Sequence, residues 1–135
     1  MLKSFCYIST ATHLMSEADL SALLLDARNR NAPAGITGML LYCEGTFMQY
    51  VEGPEDAIDG LWLKLGHDRR HYGVVKLFRQ PIDARVFDGW SMAFRRASPE
   101  RFQQFVDRAR APAEVASGEQ PAVVEMLRDF WNLNR

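Results

Sequence analysis

The alternation of apolar and polar positions along the chain predicts five strands. Residues 2–9 are apolar on both faces over most of their length, which is typical of a central strand covered on both sides. Residues 36–42 and 47–52 flank a tight, glycine-containing turn and predict an antiparallel hairpin. Shorter strands are predicted over 74–78 and 90–94, so most of the first hundred residues are expected to form one sheet.

Helical spacing predicts four helices between and after these strands. The first is expected over 17–30, because Pro33 and Gly35 should exclude further helix. The second starts at Pro54 and runs to about His67. After residue 98, two stretches with apolar residues on one side predict an amphipathic helical pair.

The resulting order, βαββαββ, contains the split-βαβ pattern of ferredoxin-like domains. The predicted fold is therefore α+β, a ferredoxin-like sheet with two helices on one face, plus two C-terminal helices. This divides the chain into a sheet domain, 1–97, and a helical extension, 98–135, packed on the sheet. Residues 112–118 are expected to link the last two helices, and Pro81 to interrupt the fourth strand.

Charge and cysteine content narrow the functional classes. The 135 residues carry 16 Lys and Arg against 17 Asp and Glu, a net charge of −1. This balance argues against nucleic-acid binding and against a basic membrane-surface protein. No apolar run approaches the ~20 residues of a membrane span, and the N-terminus lacks the pattern of a secretory signal. Cys6 and Cys43 cannot form a disulfide framework, which predicts a cytoplasmic location.

Candidate chemistry is sparse when the residues are considered alone. No Ser-His-Asp set, P-loop or GxGxxG motif is present, so no enzyme class is indicated. His67 and His71 are four residues apart and could suggest a metal site, but their charged neighbours at a helix end favour a solvated turn. Tyr7 and Gln49 are polar residues in apolar strands. Each is either a core residue whose polar groups are hydrogen-bonded within the protein or a functional residue.

Five motifs become specific when they are considered together. They are Tyr7 in the first strand, Asn31–Gly38, Phe47–Gly53, Asp68–His71 and Arg85–Met92. Their order and spacing over residues 2–95 resemble the BLUF family, blue-light sensors that use flavin. The resemblance implies noncovalent FAD, with its isoalloxazine ring between the two helices on one face of the sheet. Residues 1–97 would then be the flavin-binding domain.

The resemblance also implies a photoactive set of residues, without any catalytic or metal-binding residue. Tyr7 would hydrogen-bond Gln49, which in turn would contact the flavin. Trp90 and Met92 match residues whose placement near the glutamine responds to light. Plain strand packing remains an alternative role for Trp90 and Met92.

Further cofactor contacts follow from the same resemblance. Asn31 would hold the polar edge of the ring, although a helix C-terminal role also fits an asparagine there. Asp68, Arg70 and His71 would point toward the ribityl chain and phosphates, and a surface ion pair between Asp68 and Arg70 is the alternative. The sequence departs from the family pattern at Arg30, because many family members have a second asparagine at this position.

The predicted function is that of a photoreceptor, not an enzyme. The chain resembles short, stand-alone family members, whose light-driven hydrogen-bond rearrangement passes to a separate protein partner. A homodimer through the sheet or the helices fits this reading. The alternatives are a light-insensitive flavin-binding protein, a small ferredoxin-like enzyme such as an acylphosphatase-like hydrolase or flavin oxidoreductase, and an interaction module without a small molecule.

Overall fold

The computed structural model describes residues 1–110 and 121–133. Its elements, in chain order, are β1 Leu2–Ala11, α1 Glu17–Ala34, β2 Thr37–Cys43, β3 Thr46–Pro54, α2 Glu55–Lys64, β4 His71–Ile82, β5 Ala93–Arg96, α3 Pro99–Arg110 and α4 Ala122–Leu133. A short 3-10 turn, Leu65–His67, follows α2 directly. The predicted linker, 112–118, lies outside the described residues.

The strands form one mixed sheet in the order β4-β1-β3-β2-β5. β1 pairs antiparallel with both β3 and β4, and β2 and β3 form the predicted hairpin. β5 is parallel to β2 and forms one edge of the sheet. The α+β class and the ferredoxin-like arrangement are confirmed, and β1 lies inside the sheet as predicted.

α1 and α2 cover one face of the sheet. Leu20 and Leu24 of α1 and Ile58 of α2 pack with Phe5 and Val51 of the sheet in one buried cluster. Full burial of each such side chain contributes roughly 1.5–3 kcal/mol relative to exposure, so this layer holds both helices against the sheet.

α3 and α4 lie against the opposite face. Phe105 of α3 and Val124 and Leu127 of α4 are buried in a second cluster with Met48 and Tyr50 of β3. The sheet is therefore covered on both sides, which accounts for strands that are apolar on both faces.

α1 is longer than the sequence pattern predicts. It runs four residues beyond Arg30, to Ala34, and ends at Gly35, whose φ of 73° is left-handed. Pro33 lies in the last turn, so the helix loses only the hydrogen bond that a proline cannot donate. The prediction that Pro33 excludes helix was wrong, and Asn31 consequently lies within the helix.

β4 and β5 also differ from the predicted strands. β4 continues through Pro81, because it is an edge strand and one missing N–H donor is tolerated there. It begins at His71, which therefore does not end a helix. β5 begins only at Ala93, so Trp90 and Met92 lie in the loop before it. Within the described ranges, no helix is long and apolar enough to cross a membrane.

Candidate functional site

A cleft opens between α1, α2 and the sheet. It encloses about 620 Å³ of space, counting the part of its mouth that is open to solvent. The apolar side chains that line it are Leu23, Ala27, Leu40, Phe47, Leu61 and Leu65. The polar and charged ones are Tyr7, Gln49, His71, Arg30, Lys64, Asp68 and Arg70. A flat, largely apolar ligand with a polar tail fits such a lining.

Tyr7 and Gln49 face each other across β1 and β3 at one side of this cleft. The Tyr7 hydroxyl donates to Gln49 Oε1, and Gln49 Nε2 donates to Met92 Sδ at 3.5 Å. All three side chains are buried. Burial raises the pKa of the Tyr7 hydroxyl, partly offset by the Arg30 charge, so the phenol stays a neutral donor at physiological pH.

His71 is held at both ring nitrogens. Nε2 lies 2.8 Å from the Leu65 carbonyl oxygen, which can only accept, so this nitrogen carries the proton. Nδ1 lies 2.8 Å from the Ser9 hydroxyl oxygen, within hydrogen-bond distance. Neither nitrogen is left for a metal shared with His67, and no cluster of three or more metal-ligating residues occurs in the described part of the chain.

Arg70 connects both sides of the cleft mouth. Its guanidinium donates to Asp68 Oδ1 and Oδ2 at 3.0 and 2.8 Å, and to Asp26 Oδ2 of α1 at 2.9 Å. These contacts with Arg70 lower the pKa of the Asp68 carboxyl. Because two carboxylates already occupy the guanidinium, Arg70 is less suited to a phosphate than the sequence motif suggests.

Two other cations line the same cleft. Arg30 extends from α1 and Lys64 from α2, and both are exposed. Among the residues that the structure describes, neither side chain forms a hydrogen bond or an ion pair. The sequence signal for Lys64 was its position three residues after Leu61, which places both on the cleft side of α2.

Asn31 is fully buried near the end of α1. Its Nδ2 donates to the Ser91 carbonyl oxygen at 3.1 Å, while its Oδ1 has no hydrogen-bond partner. An unsatisfied buried acceptor costs about 1–3 kcal/mol, so a ligand N–H reaching Oδ1 would remove a penalty as well as add a contact. A role in ending the helix would not explain this buried acceptor without a partner.

Glu52 anchors the loop that precedes β5, and sequence reasoning missed it. The carboxylate is fully buried and accepts from the backbone N–H groups of Val86 and Phe87 at 2.8 and 2.7 Å. The hydroxyls of Thr37 and Tyr50 each donate to it at 2.9 Å. The available signal was an acid inside an otherwise apolar strand.

Trp90 and Met92 separate in the structure. Met92 reaches Gln49, as described above, but Trp90 is 39% exposed and does not line the cleft formed by the described residues. Its ring packs edge-on against Trp131 of α4, with centroids 5.0 Å apart and planes at 74°. Met92 therefore contacts a cleft residue, Gln49, without lining the cleft itself, whereas Trp90 contacts α4.

The sequence is similar to short segments of much longer proteins. It is 46% identical over 92 residues to photoactivated adenylate cyclase subunit beta of Euglena longa, covering 67% of this chain and 11% of that protein. It is 46% identical over 86 residues to subunit alpha of Euglena gracilis, covering 64% of this chain and 8% of that protein. The chain thus spans about a tenth of the length of these relatives.

Solved structures match over nearly the whole chain. The dark-state structure of the BLUF protein BlrB is 30% identical, with a TM-score of 0.73 over 99% of this chain and 97% of BlrB. The photo-activated state of BlsA is 27% identical, with a TM-score of 0.74 over 95% of each chain. The family model "BLUF: Sensors of blue-light using FAD" matches residues 2–93. The chain therefore belongs to the BLUF family of blue-light sensors, whose cofactor is FAD.

Proposed function

We propose that FAD binds noncovalently in the cleft between α1 and α2, and that Tyr7, Gln49 and Met92 convert blue light into a change of hydrogen bonding. The observation that carries this proposal is the buried, continuous chain from the Tyr7 hydroxyl through the Gln49 amide to the Met92 sulfur. Tyr7 and Gln49 line the cleft, where a bound ring system would meet them, and Met92 contacts Gln49 without lining the cleft.

The residues present suit each part of the cofactor. Apolar side chains on both helices can sandwich a flat ring. The orphaned Asn31 Oδ1 has the chemistry to accept from an imide N–H, but Asn31 is fully buried and does not line the cleft, so this contact would need a local rearrangement. Arg30 and Lys64 suit the phosphates, since neither is neutralised by a described residue. The ribityl chain would then pass the residues at the mouth of the cleft, which are Asp68, Arg70 and His71.

The protein's part in the light response follows from the chemistry of two side chains. Bound FAD supplies the absorption of blue light and an excited state able to accept an electron. Tyr7 is a phenol that can release an electron, and Gln49 Oε1 is placed to receive its hydroxyl proton. Rotation of the Gln49 amide exchanges its acceptor and donor ends, so Met92 Sδ would then face an oxygen instead of an N–H donor. Two hydrogen-bond arrangements of one core make a two-state switch.

A light-minus-dark absorption spectrum of the purified protein tests this function. We expect a yellow protein whose flavin band shifts to the red under blue light and returns in the dark. Denaturation should release intact FAD, measured by mass spectrometry. A yellow protein without a shift would support a light-insensitive flavoprotein instead, and flavin that remains attached to the chain would contradict noncovalent binding.

Substitution of both Arg30 and Lys64 by Gln is expected to weaken FAD binding about tenfold, equivalent to about 1.4 kcal/mol. Binding of riboflavin should change less than about twofold, because riboflavin has no phosphate for either cation to contact and exposed charges have little effect on groups that they do not contact. Fluorescence titration of the apoprotein measures both affinities. Arg69→Gln, an exposed cation that does not line the cleft, is the matched control. Equal losses for both ligands would contradict the assignment.

For signalling we propose contact with a separate protein partner and a cytoplasmic location. The free, buried Cys6 and Cys43 suit a reducing compartment. The division into a sensor domain, 1–97, and a helical extension, 98–135, is supported by the distinct cluster that α3 and α4 form with the far face of the sheet. A homodimer stays a prediction.

A further inference from the structure

The loop before β5 is tied to α1 by two side chains that are neighbours on one helix face. Asn31 Nδ2 binds the Ser91 carbonyl oxygen at 3.1 Å. Three residues earlier, Arg28 donates from both Nε and one terminal nitrogen to the Met92 carbonyl oxygen, at 3.1 and 3.0 Å. Residues at i and i+3 project side by side, so α1 captures two consecutive carbonyls of this loop.

Met92 is consequently held at two points. Its carbonyl oxygen is bound by the planar fork of Arg28, and its sulfur accepts from Gln49 Nε2 at 3.5 Å. A thioether is a weak acceptor on a flexible side chain, so the contact with Gln49 cannot by itself fix where Met92 lies. The charged pair of hydrogen bonds from Arg28 is the stronger of the two restraints.

We infer that Arg28 is a positioning residue of the light switch, which fixes the Met92 backbone so that the sulfur meets Gln49 Nε2 in the dark. The inference rests on the function proposed above. Arg28 does not line the cleft and acts only through Met92. Without Arg28, Gln49 would lose a fixed acceptor for its N–H group, and the dark orientation of its amide would be regained more slowly.

Arg28→Ala tests the inference through the rate of dark recovery. The variant should keep its FAD and the size of its red shift, but recover about two- to fivefold more slowly, the size expected from one weak hydrogen bond. Arg28→Lys, which keeps one charged donor, should recover at an intermediate rate. Asn29→Ala, an exposed neighbour on the same helix, should recover at the wild-type rate.

A double substitution separates positioning from a merely structural role. In a Met92→Ala background there is no sulfur to position, so adding Arg28→Ala should leave the recovery rate unchanged within about 1.5-fold. An equal slowing with and without the Met92 side chain would overturn the inference. So would an Arg28→Ala protein that recovers at the wild-type rate.

The methyl resonance of Met92 gives a readout that does not depend on photochemistry. In protein labelled with [methyl-¹³C]methionine, Met92→Leu identifies the signal. Arg28→Ala should shift or broaden that signal, and Asn29→Ala should leave it in place. A wild-type protein without any red shift would refute the proposed function, and the methyl spectrum would then still decide whether Arg28 positions Met92. An unchanged methyl signal in Arg28→Ala would overturn the inference.

Discussion

Replacement of Tyr7 by Phe is expected to abolish the light-induced red shift while the fold and the bound FAD persist. The ring is kept, so the core volume hardly changes. The loss of one hydroxyl leaves Gln49 Oε1 without its donor, a stability cost of about 1–2 kcal/mol. The function should fail far more completely, because that hydroxyl is both the partner of Gln49 and the proposed source of the electron and proton.

The measurement is a light-minus-dark difference spectrum at matched flavin content. Gln49→Leu should give the same loss, since it removes the other half of the hydrogen bond. Tyr72→Phe is the matched control, because Tyr72 is 58% exposed on β4 and should leave the shift intact. A normal red shift in the Tyr7→Phe protein would refute the proposed mechanism even if the protein were yellow.

Replacement of Glu52 by Leu should be the most destabilising single change considered for this chain, lowering the free energy of unfolding by about 3–5 kcal/mol. Four donors converge on this buried carboxylate, two of them backbone N–H groups of Val86 and Phe87. Leucine supplies no acceptor, so the backbone N–H groups of Val86 and Phe87 would lose the carboxylate that holds them. Urea denaturation followed by circular dichroism measures the change.

Two further variants keep this prediction testable if Glu52→Leu fails to fold. Glu52→Gln retains the shape and one acceptor oxygen, so an intermediate loss is expected. Glu55→Gln changes an exposed carboxylate at the start of α2 and should stay within about 0.5 kcal/mol of wild type. A loss below about 1 kcal/mol for Glu52→Leu would show that water replaces the carboxylate.

The sequence predicted the sheet well because strand burial leaves a strong pattern. Both faces of β1 and β3 are covered, which produces near-continuous apolar runs. Proline misled the prediction at both positions where it was used to end an element. Pro33 lies in the last helical turn and Pro81 on an edge strand. At both places the absence of a backbone N–H donor costs little stability.

The site was predictable only in part, for a physical reason. Tyr7 and Gln49 stand out as polar residues in apolar strands, and strand register brings them together. Arg28 and Glu52 bind backbone groups of a loop far along the chain. Every residue has a backbone carbonyl, so the sequence does not indicate which one a distant side chain will bind, and the same holds for backbone N–H groups. The side chain of Trp90 likewise could not be oriented without knowing where α4 packs.

The contact between Trp90 and Trp131 gives this protein an intrinsic optical probe of how the loop before β5 lies relative to α4. Two indoles 5.0 Å apart and inclined at 74° are close enough for their electronic transitions to couple. Such coupling appears in the far-ultraviolet circular dichroism, where the strongest indole transition lies, as a pair of bands of opposite sign whose size depends steeply on separation and angle. Any displacement of the loop before β5 relative to α4 would therefore change this spectrum without an added label, in flavin-free protein as well as in the loaded form.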